Sequence, residues 1–174
     1  GIIYLWNHSG PGPALLTVNA CTGRATQVGA TVSSPADAQA LALSSTGQMY
    51  LLRNELYQVD RSTGAVTLVG SLGAGISVLG ADFDPETGTL YALGAGGTSL
   101  YTGNTATGAA TLVATLSQSL GTAGALTFTP SGGLLGSSID GSIFDIDKAT
   151  GVVSNVRNVS GGGPQGMGFA PACG

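Results

Sequence analysis

The sequence predicts an all-β fold, a four-bladed β-propeller, and three observations predict it. One turn pattern recurs four times, as Asn19-Ala20-Cys21-Thr22-Gly23, Asp60-Arg61-Ser62-Thr63-Gly64, Asn104-Thr105-Ala106-Thr107-Gly108 and Asp147-Lys148-Ala149-Thr150-Gly151. The copies begin 41, 44 and 43 residues apart, and 46 if counted from the last through the end of the chain to the first. A second turn recurs in a fixed phase to it, as Phe83-Asp84-Pro85-Glu86-Thr87-Gly88, Phe128-Thr129-Pro130-Ser131-Gly132-Gly133 and Phe169-Ala170-Pro171-Ala172-Cys173-Gly174, with a weaker copy at Leu43-Ser44-Ser45-Thr46-Gly47. Short apolar runs flank every turn. A period near 43 residues with four strands per unit is the signature of propeller blades.

The local chemistry of the turns explains the pattern. An Asn or Asp side chain accepts backbone N–H groups within its own turn, and Gly takes the φ > 0 position that closes it. In the second turn, Pro pre-sets φ and Gly ends the turn. Strands are labelled a to d within each repeat. In the second repeat they are expected at 40–44, 48–53, 55–60 and 65–70. In the third they fall at 79–84, 89–93, 98–103 and 109–115, and in the fourth at 125–129, 133–138, 142–147 and 152–156. The first repeat has b at 2–6, c at 14–19 and d at 24–30, and its strand a is expected at the other end of the chain, at 165–170. The blades are therefore 1–38 plus 165–174, then 39–77, 78–123 and 124–164. A closed monomeric ring follows from this offset. Two further arrangements stay open: an eight-bladed ring of two chains, or donation of the C-terminal strand a to a neighbouring copy in a head-to-tail polymer.

The repeats resemble secreted bacterial β-propeller proteins with a Leu-Tyr strand (Leu90-Tyr91), a Val-Asp-x-x-Thr-Gly turn (Val59 to Gly64) and a Phe-x-Pro-x-Gly turn, and the resemblance spans all 174 residues. The loop His8–Pro13 and the Tyr-less strand Leu134-Leu135-Gly136 depart from it. The resemblance implies the fold and a secreted location, and no functional residue is carried over from it.

Composition narrows the function. Only 8% of residues are charged, with a single lysine and a net charge of −4, so no basic footprint for nucleic acid exists. No apolar run reaches the 18–20 or so residues of a membrane-spanning helix. A surface of Ser, Thr, Gly and Ala with few charges resists self-association poorly. Cys21 and Cys173 are too few for a metal site of their own. They fall in the c–d and a–b turns at one end of the first blade, so a single disulfide in an oxidising compartment is expected, against two buried free thiols as the other reading.

The b–c and d–a loops share one face of the ring, where function is expected. The only Trp and the only His, Trp6 and His8, sit at the longest b–c loop, with Arg53, Asn54 and Asp140 at related positions in other blades. These five form the expected ligand-binding set: an exposed Trp6 beside polar groups would stack on a sugar ring, whereas a Trp6 packed under its own Pro-rich loop would not. His8 with Asp37 or Asp140 is a weak case for general-base catalysis, and no catalytic residue is assigned. The acids Asp82, Asp84, Glu86, Asp145 and Asp147 lack the spacing of a Ca²⁺ loop, and Asp147 reads better as a turn cap, so neither metal nor cofactor is expected. Asn7-His8-Ser9 and Asn158-Val159-Ser160 match the N-glycosylation pattern, making Asn7 and Asn158 candidate acceptors. The leading expectation is a secreted, non-enzymatic structural module that self-associates, such as a filament or surface-layer subunit. The second is a propeller that binds a glycan or a surface partner through the face near Trp6, and the third is a hydrolase or lyase.

Overall fold

The computed structural model describes residues 2–8, 12–35, 37–159 and 167. The chain is all-β, with four antiparallel sheets arranged as a four-bladed propeller and no helix among the described residues. The first blade holds β1 (Ile3–Asn7), β2 (Ala14–Val18) and β3 (Ala25–Val28). The second holds β4 (Ala40–Leu43), β5 (Met49–Leu52), β6 (Glu55–Val59) and β7 (Val66–Ser71). The third holds β8 (Val78–Phe83), β9 (Leu90–Gly94), β10 (Ser99–Gly103) and β11 (Ala110–Thr115). The fourth holds β12 (Ala123–Phe128), β13 (Leu134–Ser138), β14 (Ser142–Ile146) and β15 (Val153–Asn158). Each sheet is a meander in chain order. Every strand lies within two residues of its expected position at each end. The expected strand at 165–170 and Cys173 lie outside the described residues, apart from Met167.

The turns are built as their sequences require. The Asn19, Asp60, Asn104 and Asp147 carboxamide or carboxylate oxygens each accept two backbone N–H groups, from the second and third residues after them, at 2.7–3.1 Å. The Thr hydroxyl three residues before the outer strand accepts the N–H of the second residue after it in every copy, at 3.3–3.4 Å. Gly23, Gly64, Gly108 and Gly151 all have φ between 69° and 84°, the left-handed conformation that other residues avoid.

The innermost strands β4, β8 and β12 pack side by side, with β8 in the middle. Because strand side chains alternate between faces, the sheets of the second and third blades each bury one set against the blade before and one against the blade after. In β5, Met49 and Leu51 join Leu15 of the first blade, while Tyr50 and Leu52 join Val78, Phe83 and Leu90 of the third. Leu93 and Leu100 of the third blade meet Phe128, Leu134 and Phe144 of the fourth. Among the described residues these are the three cores, one per pair of consecutive blades.

The same joint recurs on the outside. The c–d turns of the second, third and fourth blades each lay their Thr-Gly backbone on the outer strand of the blade before. A Cβ on Gly70 would stand 2.1 Å from the Thr107 carbonyl oxygen, and one on Gly108 would stand 2.5 Å from the Gly70 carbonyl carbon. Gly29 meets Thr63 in the same way, and Gly151 meets Thr115 at 2.7 Å. Hydrogen bonds from Ala110 N–H to Leu72 O and from Ser117 N–H to Gly151 O, both 2.9 Å, lock two of these joints.

One feature of the outer hairpins has no sequence signal. β6–β7, β10–β11 and β14–β15 each shift register by one residue, whereas β2–β3 does not. Such bulges increase local twist. Asn155, with φ of 49°, lies at the shift in the fourth blade.

The joint makes a paired prediction. Gly108→Ala adds a methyl into the Gly70 backbone as well as straining φ, and should cost more than about 2 kcal/mol in denaturant unfolding. Gly23→Ala meets no described atom within 4 Å, and should cost only the φ term, about 1 kcal/mol. Equal losses would show that packing at the joint contributes nothing.

Candidate functional site

On the loop end of the second blade lies a cavity of about 630 Å³. Its parts come from three segments. The d–a loop before β4 supplies Pro35, Asp37 and Ala38, the b–c turn supplies Arg53 and Asn54, β6 supplies Glu55 and Tyr57, and residues 71–77 close the far side. The backbone ties these segments together: Leu72 N–H donates to Asn54 O at 3.0 Å, and Val78 N–H to Arg53 O at 2.8 Å. Gly73 and Gly75, at φ of 126° and 75°, let the following loop turn away and leave the space open.

Charged and polar groups converge in this space. The Arg53 guanidinium faces the Asp37 carboxylate at 3.4 Å. The Tyr57 hydroxyl donates to the Glu55 carboxylate. Burial and then the bond to Glu55 push the Tyr57 phenol above its ordinary range, so it remains a donor at neutral pH. The site therefore presents one cation, two carboxylates, a carboxamide and a phenol beside the apolar surfaces of Pro35 and Ile76.

Of the residues expected from sequence, Arg53, Asn54 and Asp37 line the cavity, whereas Trp6, His8 and Asp140 do not. Trp6, near the end of β1, is half-buried against the core formed by Leu15, Met49 and Leu51, and its Nε1 is buried without a hydrogen-bond partner. His8 is exposed. Asp140 caps its own turn, accepting from Ser142 N–H at 3.0 Å and from the Ser138 hydroxyl. These hydrogen bonds, the Ser138 hydroxyl foremost, hold its carboxyl below the usual range. Asn7 and Asn158 close β1 and β15, and Asn158 is exposed. Cys21 is exposed in its turn, and no free thiol is found among the described residues. Glu55 and Tyr57 are the members of the site that sequence reasoning missed. Glu55 stands where the third and fourth blades carry Ser99 and Ser142, so departure from the repeat was the available signal.

At the opposite end the acids serve the fold. Asp84 is 1% exposed and takes the Lys148 ammonium at 2.7 Å, joining the a–b turn of the third blade to the c–d turn of the fourth. Lys148 also sits 5.6 Å from the centre of the Phe128 ring. Asp82 on β8 accepts from the Thr127 hydroxyl at 3.0 Å and the Phe128 N–H at 2.8 Å, linking the inner strands of two blades. Among the described residues no three His, Cys, Asp or Glu side chains are placed to hold a metal ion. The cation beside the Asp84 cluster is the lysine of the next blade. Met167 lines a small cavity here with Leu41, Ala81 and Leu126 of the three described inner strands.

A family model described as a domain of unknown function (DUF4394) matches residues 71–132, less than half of the chain. Comparison with curated proteins finds no match. Solved structures similar to this chain include hydrazine synthase of Kuenenia stuttgartiensis, at 21% identity and a TM-score of 0.57, covering 91% of this chain and 46% of that one. Virginiamycin B lyase from Staphylococcus aureus matches at 13% identity and a TM-score of 0.58, over 91% of this chain and 51% of that one. A nidogen/laminin complex matches at 16% identity and a TM-score of 0.61, over 85% of this chain and 57% of that one. The chain thus spans about half the length of the first of these structures. They share its propeller fold and include enzymes as well as a protein complex.

The buried pair predicts an acid-sensitive fold. Burial alone would raise the Asp84 carboxyl, but the Lys148 ammonium and the Glu86 N–H outweigh it and the group is held below its ordinary value. A depressed carboxyl stabilises the fold above its unfolded value of about 3.9, and that contribution is lost as pH falls through the folded value. Asp84→Asn should lower Tm at pH 7, and its deficit relative to wild type should shrink below about pH 4. A deficit independent of pH would refute the ion pair as its cause.

Proposed function

We propose that this chain is a secreted, non-catalytic structural module that assembles with copies of itself. The observation that carries the reading is the joint between the fourth blade and the first. Val28, Val69 and Val113 hold one position on their outer strands and are half-buried; Val156 holds it in β15 and is 54% exposed. Gly64, Gly108 and Gly151 are buried by the outer strand of the preceding blade, whereas Gly23 is exposed. Among the described residues, one chain thus carries both halves of a joint it makes three times, an exposed outer face at Val156 and an exposed turn glycine at Gly23. Head-to-tail contact between copies is the association such a pair supports.

Arg157 stands where the other blades have Gly29, Gly70 and Ala114. Its guanidinium lies back on Asp145 of the neighbouring strand at 2.5 Å, drawn off the face that a partner's turn would meet. Leu68 and Leu112, each 54% exposed at matching places in β7 and β11, add apolar surface to the rim. With so few charges, such contacts meet little electrostatic opposition. A Cys21–Cys173 disulfide is part of the same proposal. It would staple the C-terminal segment to the c–d turn of the first blade and suits an oxidising, extracellular setting.

Light scattering coupled to size exclusion tests the reading. The wild type is expected to run as an oligomer that survives high salt, Val156→Asp to shift it towards monomer, and Arg157→Gly to strengthen association. A wild type that stays monomeric at high concentration would refute it. Non-reducing mass spectrometry should show the chain two mass units lighter than its reduced form, for the loss of two hydrogens.

A further inference from the structure

We infer that the cavity on the second blade, built around Arg53, Asp37, Glu55 and Tyr57, is a binding site for a neutral saccharide. The repeat itself supplies the control. A residue that the propeller needs for its own sake recurs from blade to blade, as the turn Asn or Asp and the strand Leu do. The b–c turn of the second blade and the first residue of its strand c read Arg53-Asn54-Glu55, where the third blade has Ala95-Gly96-Gly97-Thr98-Ser99 and the fourth has Ile139-Asp140-Gly141-Ser142. The blade architecture is the same in all three. Turn formation therefore does not require the guanidinium and carboxylates gathered here, although a surface turn is free to carry charge.

The chemistry of the groups selects the ligand class. Carboxylates only accept hydrogen bonds and a guanidinium only donates them. A sugar hydroxyl does both, so neighbouring hydroxyls can donate to Asp37 or Glu55 while accepting from Arg53. An anionic ligand would meet two carboxylates against one guanidinium. A cationic ligand would compete with Arg53 for Asp37, which it faces at 3.4 Å. The Tyr57 ring, Pro35 and Ile76 supply apolar surface suited to the C–H face of a sugar. The volume of about 630 Å³ lies within the range of ligand pockets, about 300–1,000 Å³, with room for more than one ring. Trp6, the residue first suggested for sugar stacking, does not line this cavity. The site is on the second blade and the exposed outer face is on the fourth, so binding here does not depend on self-assembly.

The test is isothermal titration of the intact chain with chitotriose, cellotriose and maltotriose, with trigalacturonate as the anionic counterpart. At least one neutral trisaccharide is expected to bind, and Arg53→Ala and Glu55→Gln should each weaken it about tenfold or more. Trp6→Phe should leave binding unchanged. Circular dichroism melts confirm that each variant folds, and Asn54→Ala replaces any that does not. No binding by any neutral sugar up to about 10 mM would overturn the inference. So would a preference for trigalacturonate, or binding that survives both cavity variants and is lost in Trp6→Phe.

Discussion

Where the Thr-Gly end of a c–d turn meets the outer strand of the preceding blade, the two backbones come so close that a side chain has no room between them. Gly29 faces Thr63 and Gly64, and Gly70 faces Thr107 and Gly108. This contact joins the outer strand of one sheet to the c–d turn of the next, outside the interblade cores. Leu, Val, Met and aromatic side chains fill those cores from both sides. The glycine serves two constraints at once: a left-handed φ that closes its own turn and a surface bare enough for its neighbour. Either alone would favour glycine, and together they make the Thr-Gly pair the most regular feature of the chain.

Repetition also separates what the fold requires from what it merely permits. Positions that recur have a structural account in each blade: the Asx oxygen holding two N–H groups, the Thr hydroxyl holding a third, the inner-strand apolar residues filling a core. Departures stand out against that background. Arg157 replaces a small residue at a joint. Arg53 and Glu55 stand where the third blade has Ala95 and Ser99 and the fourth has Ile139 and Ser142. Lys148 occupies a turn position where the other blades have Ala20, Arg61 and Thr105, and it reaches a buried carboxylate in the preceding sheet. In a chain with five basic residues, three of these departures use one of them.

The polar groups divide by end of the ring. At the tight-turn end, Asp82 and Asp84 bind neighbouring blades together through Thr127, Phe128 and Lys148. At the loop end, Arg53 and Asp37 pair on the wall of an open cavity with substantial exposure. The first arrangement leaves its carboxylates fully engaged by the protein. The second leaves donors and acceptors facing solvent, which is the condition for exchanging water for a ligand.

The sequence by itself determined the strands and turns, because their signals are local: two-residue alternation, an Asx oxygen two and three residues from the N–H groups it accepts, and a glycine where φ must be positive. It also placed Arg53 and Asn54 on the loop face, since strand order within a blade follows from chain order, and left Asp37 unplaced. Only the tertiary structure decided that Glu55 and Tyr57 join them while Trp6 turns into a core and Asp140 caps its own turn. Those outcomes depend on how loops from successive blades fold over one another. The pairing of Lys148 with Asp84, the bulges in the outer hairpins and the exposure of Val156 were equally beyond local pattern. Each is set by contacts between residues distant in the chain, or by the position of the neighbouring sheet, and no spacing along one strand encodes that.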